Sequence, residues 1–180
     1  MPVYIALLRG VNVGGRAKVA MSDLRTLLTE LGFDDARSLL QSGNLVFRGA
    51  ARKPAELERA LAAAVQSRLG MRSDVMVRTV PDWDGIVAGN PFPDEAERDP
   101  SHVLVLFLTG SASAEAVAAL QGAIAGREIV RGSGRQIYAY YPDGIGRSKL
   151  TLPAIEAALG TRATGRNWNT VLKIAALAGA

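Results

Sequence analysis

The order of apolar runs predicts a mixed α+β fold with antiparallel sheets, on three observations. Short apolar runs alternate with stretches whose apolar residues recur at three- and four-residue spacing. Two pairs of runs flank tight-turn signals, Ser42-Gly43-Asn44 and Gly132-Ser133-Gly134. The series β-α-β-β-α-β then occurs twice, without letter-for-letter repetition.

Val3 to Leu8 is a continuous apolar run, the pattern of a buried strand. Met21, Leu24, Leu27, Leu28 and Leu31 follow at helical spacing, with Ser22 or a neighbour as cap and Gly32 as stop. Residues 38–41 and 45–48 read as hairpin strands. Pro54 opens a second helix bearing Leu57, Leu61, Val65 and Leu69, which Gly70 ends. Val75 to Thr79 closes the half as a strand.

Residues 81–100 change character, with Pro81, Asn90-Pro91-Phe92-Pro93 and the acidic Asp94 and Glu95. They read as a linker or inserted loop with a short helix. In the second half, His102 to Leu108 is a strand. A helix capped by Ser113 carries Val117, Leu120 and Ile124 and ends at Gly126. Residues 128–131 and 136–141 flank the second turn signal. Leu152 to Leu159 is a helix with Pro153 in its first turn, and 162–166 is a short strand. Asn167 or Asn169 caps a terminal helix bearing Val171, Ile174 and Leu177.

A β-α-β-β-α-β unit is the ferredoxin-like arrangement, an antiparallel sheet with both helices on one face. The expected architecture is two tandem ferredoxin-like (αβ-plait) units, residues 1–80 and 101–180, joined by 81–100, plus an extra C-terminal helix. That topology places the 10–18 loop beside Ser42-Gly43-Asn44. It also places the 142–149 loop beside the 166–169 block.

Composition narrows the classes of function. The 180 residues contain no cysteine, which excludes disulfides, thiolate metal sites and cysteine nucleophiles. No apolar run reaches the roughly 18 residues of a membrane span. The start lacks a basic leader, so a cytoplasmic protein without membrane attachment is expected. His102 is the only histidine and has no cluster of ligand residues around it, so neither a metal site nor a cofactor is expected. The formal net charge of +4 permits nucleic-acid binding without requiring it.

Two blocks are dense in hydrogen-bond donors and free of carboxylates. The first runs from Arg9 to Lys18. Gly14 and Gly15 free the backbone to turn and present amides, while Arg9, Arg16 and Lys18 add charge. The spacing fits neither of the common nucleotide fingerprints. A plain turn, with Asn12 satisfying its own backbone, is the competing role. Gln41, Ser42 and Asn44 line the same edge or serve the turn alone. The second block is Arg166-Asn167-Trp168-Asn169, where Trp168 suits stacking on a base and the asparagines suit reading its edge. A buried tryptophan under a capped helix is the alternative there. Ser148 and Lys149 open a helix and suit contact with an anion. Lys149 is a candidate for catalysis, as a base beside Ser148, although sequence neighbours on a helix seldom face each other.

Taken together, the segments Leu7 to Gly15 with Lys18 and Met21, Gln41 to Asn44, Ser148 to Leu150 and Ala163 to Val171 resemble one family. It is the bacterial group catalogued as domain of unknown function 1697. The resemblance spans nearly the whole chain and implies tandem αβ-plait units with no established activity. Its pattern falls on Arg9, Asn12, Gly14, Gly15, Lys18, Gln41, Ser42, Gly43, Asn44, Ser148, Lys149, Arg166, Asn167, Trp168 and Asn169.

The expected function is binding of a phosphate-bearing ligand, a nucleotide or nucleic acid. Arg9, Lys18, Lys149 and Arg166 neutralise charge, and Asn12, Ser42, Asn44, Asn167 and Asn169 orient the ligand. Two rivals stay open. One is an enzyme acting on a small anionic metabolite, with Lys149, Tyr141 and Asp143 as its proton-moving candidates. The other is a protein-interaction module without a ligand.

Overall fold

Consecutive apolar residues form β1 (Val3–Leu8), and the first sheet is built around it. The structure, a computed structural model, describes residues 1–13 and 18–179. The chain divides into two units. Unit 1 is Met1–Gly85 with Lys173–Ala180, and unit 2 is Ile86–Leu172.

In unit 1, β1 is followed by α1 (Met21–Glu30), β2 (Asp34–Leu39), β3 (Asn44–Arg48), α2 (Pro54–Leu69) and β4 (Val75–Thr79). The sheet order is β2-β3-β1-β4, antiparallel throughout. Strand alternation turns Tyr4, Ala6 and Leu8 to one face, where they share a core with Leu24 and Leu28 of α1 and Leu57 and Leu61 of α2. Each of these leucines contributes about 1.5–3 kcal/mol by leaving water. Ile5 and Leu7 alternate to the other face and are buried as well.

Two local expectations change. Ser22 does not cap α1: the helix starts at Met21, with Ala20 at the N-cap position and no capping side chain. The strand expected at 38–41 is β2 at Asp34–Leu39, and residues 40–43 form the turn. Its pairing is irregular between Asp34 and Arg37, and Asp35 has a positive φ. A charged, bulged edge strand protects the sheet from further pairing, and it also erases the alternation that reveals a strand.

Residues 81–100 are mostly helical, more so than the one short helix expected: α3 (Val80–Ala88), α4 (Pro93–Arg98) and a 3-10 turn, Pro100–His102. The start of α3 is a reciprocal cap. Thr79 N–H donates to Asp82 Oδ2 at 2.9 Å, and Asp82 N–H donates to Thr79 Oγ1 at 3.2 Å.

Unit 2 continues with β5 (Val103–Ala112), α5 (Ala114–Ala123), β6 (Ile129–Tyr140), α6 (Leu152–Leu159), β7 (Ala163–Asn167) and the start of α7 (Trp168–Ala178). The sheet order is β6-β5-β7, antiparallel. Leu106, Leu108, Val117, Leu120, Ile137, Tyr141, Ile155 and Leu159 are among its core. The two strands expected at 128–131 and 136–141 are one extended stretch, β6. The chain nevertheless doubles back inside it. A Cβ built on Gly132 would lie 3.4 Å from Ile137 Cα, whereas five extended residues span roughly 16 Å.

Among the described residues, no helix is long and apolar enough to cross a membrane. The described residues also contain no group of three metal-binding side chains.

Candidate functional site

The first polar block and the 40–43 turn meet, as the strand order requires. Leu8 N–H donates to Gly43 O at 2.9 Å, which fixes the turn against the end of β1. Asn12 then bridges the two segments. Its Nδ2 donates to Gln41 O at 2.6 Å and Val19 O at 3.0 Å, and its Oδ1 accepts from Val19 N–H at 2.8 Å. Asn12 has a φ of 55°, a conformation asparagine tolerates better than most residues. Asn44 is buried and supports the turn from below, its Nδ2 donating to Leu39 O at 2.9 Å and Ser42 Oγ at 3.0 Å.

Between these segments lies a cavity of about 350 Å³ lined by Asn12, Lys18, Val19, Ala20 and Gln41. Lys18 and Gln41 are exposed. No ion pair holds Lys18 among the described residues. Arg9 is outside the lining; its main chain is tied to the start of β4, with Arg9 N–H donating to Asp74 O at 2.9 Å. Gly14, Gly15 and Arg16 lie outside the described residues. Val13 and Leu40, each next to a lining residue, carried no signal in the sequence. They are 61% and 52% exposed.

Asn12 is committed to main-chain groups of the two segments it joins. Replacing Asn12 with Ala removes three hydrogen bonds and leaves Val19 N–H without its acceptor. The expected cost is about 1–3 kcal/mol, read as a lower urea midpoint.

The second block is built differently. Sheet register sets Tyr140 opposite Val103 and Asn167 opposite Leu104, so the ends of β6 and β7 share an edge. The side chains there do not form one open cluster. Arg166 is buried, and its Nη1 donates to Thr164 Oγ1 at 2.7 Å and Gly165 O at 2.9 Å. Burial pulls its guanidinium down to about 10, so it is still a cation at neutral pH. Asn167 Oδ1 accepts from Thr170 N–H at 3.0 Å and caps α7, and Trp168 is buried. Asn169 is exposed.

Ser148 is also engaged. It donates to Glu128 Oε1 at 2.6 Å and accepts from Leu150 N–H at 3.0 Å. Lys149 and Arg147 line a second cavity with Glu128, between α5 and α6. Neither Glu128 nor Arg147 stood out in the sequence, because the Ser148–Glu128 bond spans 20 positions.

The proton-moving candidates other than Lys149 are tuned away from neutrality. Tyr141 donates to Leu150 O at 3.0 Å, and burial, then the charge of Glu128, pushes it up to about 12. The hydrogen bonds from Arg127 hold Asp143 below the ordinary carboxylate range. A phenol raised from 10.0 to about 12 keeps its proton in the fold when the unfolded chain has lost it. Its stabilising contribution is therefore complete below pH 10 and is lost between 10 and 12. Tyr141→Phe should flatten the alkaline fall in stability within that window, as followed by urea titration at a series of pH values.

A family model described as Protein of unknown function (DUF1697) matches residues 1–138. The solved structure of conserved bacterial protein SP0830 from Streptococcus pneumoniae is similar to this chain. The TM-score is 0.78 and the identity 24%, with 98% of each chain covered. At that identity the likeness is one of fold. No curated protein matches the chain.

Proposed function

We propose a function on one premise: the chain belongs to the family described as Protein of unknown function (DUF1697), whose name assigns none. In our reading, unit 1 binds a phosphate-bearing ligand, a nucleotide or nucleic acid, in the cavity beside Asn12, Lys18 and Gln41. One observation carries it. Lys18 and the uncapped start of α1 open on the same cavity, since the N-cap residue Ala20 is part of its lining. Helix starts present unpaired amides and a positive dipole end, and phosphate suits both. Lys18 adds a mobile positive charge.

The neighbours favour a ligand with a ring over a bare anion. Leu40 exposes its side chain from a left-handed backbone with φ of 59°. Such a conformation costs a bulky residue on the order of 1–3 kcal/mol. An inorganic anion gains nothing from Leu40 and Val13, whereas a base or sugar packs on them. The enzyme reading is weaker, because Tyr141 and Asp143 are both held away from a neutral pKa.

The test is a thermal-shift screen against phosphate, mono- and dinucleotides, sugar phosphates and short RNA and DNA, with wild type beside Lys18→Ala. Ligand at a hundred times its dissociation constant adds about 2.7 kcal/mol, a clear rise in Tm. The expected result is a shift for wild type with at least one nucleotide or nucleic acid that shrinks in Lys18→Ala. Steep salt dependence would select nucleic acid over a mononucleotide. An unchanged Tm throughout would reject the reading in favour of an interaction module.

We infer two further properties. Each unit is a ferredoxin-like plait. The order β2-β3-β1-β4 around two helices supports this for unit 1, and β6-β5-β7 with the reversal inside β6 supports it for unit 2. The protein works in the cytoplasm, and its lack of cysteine supports that.

A further inference from the structure

We propose that unit 2 holds a second, separate binding site, which takes a small amphiphile with one anionic head. The site is the cavity of about 590 Å³ between α5 and α6, a size typical of small-molecule sites. Its floor is apolar: Leu120 and Leu150 are buried core residues, and Ile124 ends α5 beside them. The space exists because α6 presents only methyl groups along it. Ala154 and Ala158 are one turn apart, line the cavity and are exposed.

Charge stands at one part of this lining. Arg147 and Lys149 are exposed and make no ion pair among the described residues. Among the described residues, Glu128 is the only carboxylate in the lining, and it is already engaged by the Ser148 hydroxyl. Glu128 also lies against Gly126, where a built Cβ would sit 2.3 Å from Glu128 Oε2. The described lining residues therefore carry a net charge of +1, two cations and one acid, beside an apolar floor. A chain or ring on Leu120, Ile124 and Leu150, with a carboxylate or phosphate between Arg147 and Lys149, satisfies both features.

Isothermal titration calorimetry on the full chain tests this with decanoate, decyl phosphate, decanol, acetate and inorganic phosphate. Decanoate or decyl phosphate should bind about tenfold or more tighter than decanol, the equivalent of a charge-assisted hydrogen bond. Acetate and phosphate should not bind here. Whichever long-chain anion binds tighter identifies the head, and either one supports the site. Ala154→Leu with Ala158→Leu fills an exposed face, so the fold should survive, checked by circular dichroism, while binding falls about tenfold or more. Arg147→Gln with Lys149→Gln should weaken the anions and leave decanol unchanged. Lys18→Ala should leave the decanoate and decanol affinities unchanged, which separates this site from the one in unit 1. Equal affinity for decanol and decanoate overturns the proposal. So does decanoate binding that survives the leucine pair. Binding to phosphatidylglycerol vesicles without binding of free decanoate or decyl phosphate overturns it too, in favour of a membrane surface.

Discussion

Gly43→Ala should destabilise unit 1 by about 2–4 kcal/mol, well beyond an ordinary glycine replacement. Two costs add. Gly43 has a φ of 81°, which an L side chain adopts only with strain. A Cβ there would also lie 2.8 Å from Leu8 Cβ and 3.5 Å from Val11 Cβ. Leu8 is in the core and joined to the same residue by the Leu8 N–H to Gly43 O bond, so it has little room to yield. The molecule holds its own control. Gly32 has a φ of 86° with nothing within 4 Å of a built Cβ, so Gly32→Ala should cost only about 1 kcal/mol. Urea denaturation of both variants decides. Equal losses would mean that the contact with Leu8 relaxes freely and that the turn is only loosely fixed. The functional corollary is that moving this turn also moves Gln41 and the wall of the cavity.

Ala20→Asp should abolish phosphate-ligand binding in unit 1 while making the free protein more stable. Ala20 is the N-cap of α1 and makes no side-chain cap. An aspartate there accepts from the first amides, a gain of about 1 kcal/mol by the usual capping scale. It fills the donors the ligand would use and places a negative charge in the cavity lining. Ala20→Ser should give a similar cap without the charge and a milder loss of binding. The expected readout is a raised Tm without ligand and no further rise with any nucleotide. A variant that is stabilised yet still binds as wild type would show that the start of α1 is not the anion site. Lys18→Ala alone does not separate these cases, because it removes charge without occupying the amides.

Much of unit 1 was legible because its signals are local. The run from Val3 to Leu8 reads as a doubly buried strand, and Pro54 and Gly70 bracket α2 as start and αL stop. The meeting of the first loop with the 40–43 turn followed from strand order alone, and Asn12 now supplies the bond. Elsewhere the signal was cancelled or distant. β2 hides behind the polar residues that an edge strand needs. The Thr79–Asp82 cap of α3 sits in a proline-containing stretch that resembles a linker. Arg166 and Trp168 look like a recognition block in one dimension, yet burial is a property of three, and both side chains are inside. The partner of Ser148 is Glu128, too far along the chain for any spacing rule to find.

The division of the chain bears on the order of synthesis. Unit 1 is interrupted: its residues run to Gly85 and resume at Lys173, after all of unit 2. A ribosome therefore completes unit 2 before it delivers the closing piece of unit 1. The half that starts first finishes second. Until then the newborn first half holds its sheet and helices without that piece, for several seconds at ordinary elongation rates of about 5–20 residues per second. A stop codon placed after unit 2 would consequently leave unit 2 whole and deprive unit 1 of its closing piece.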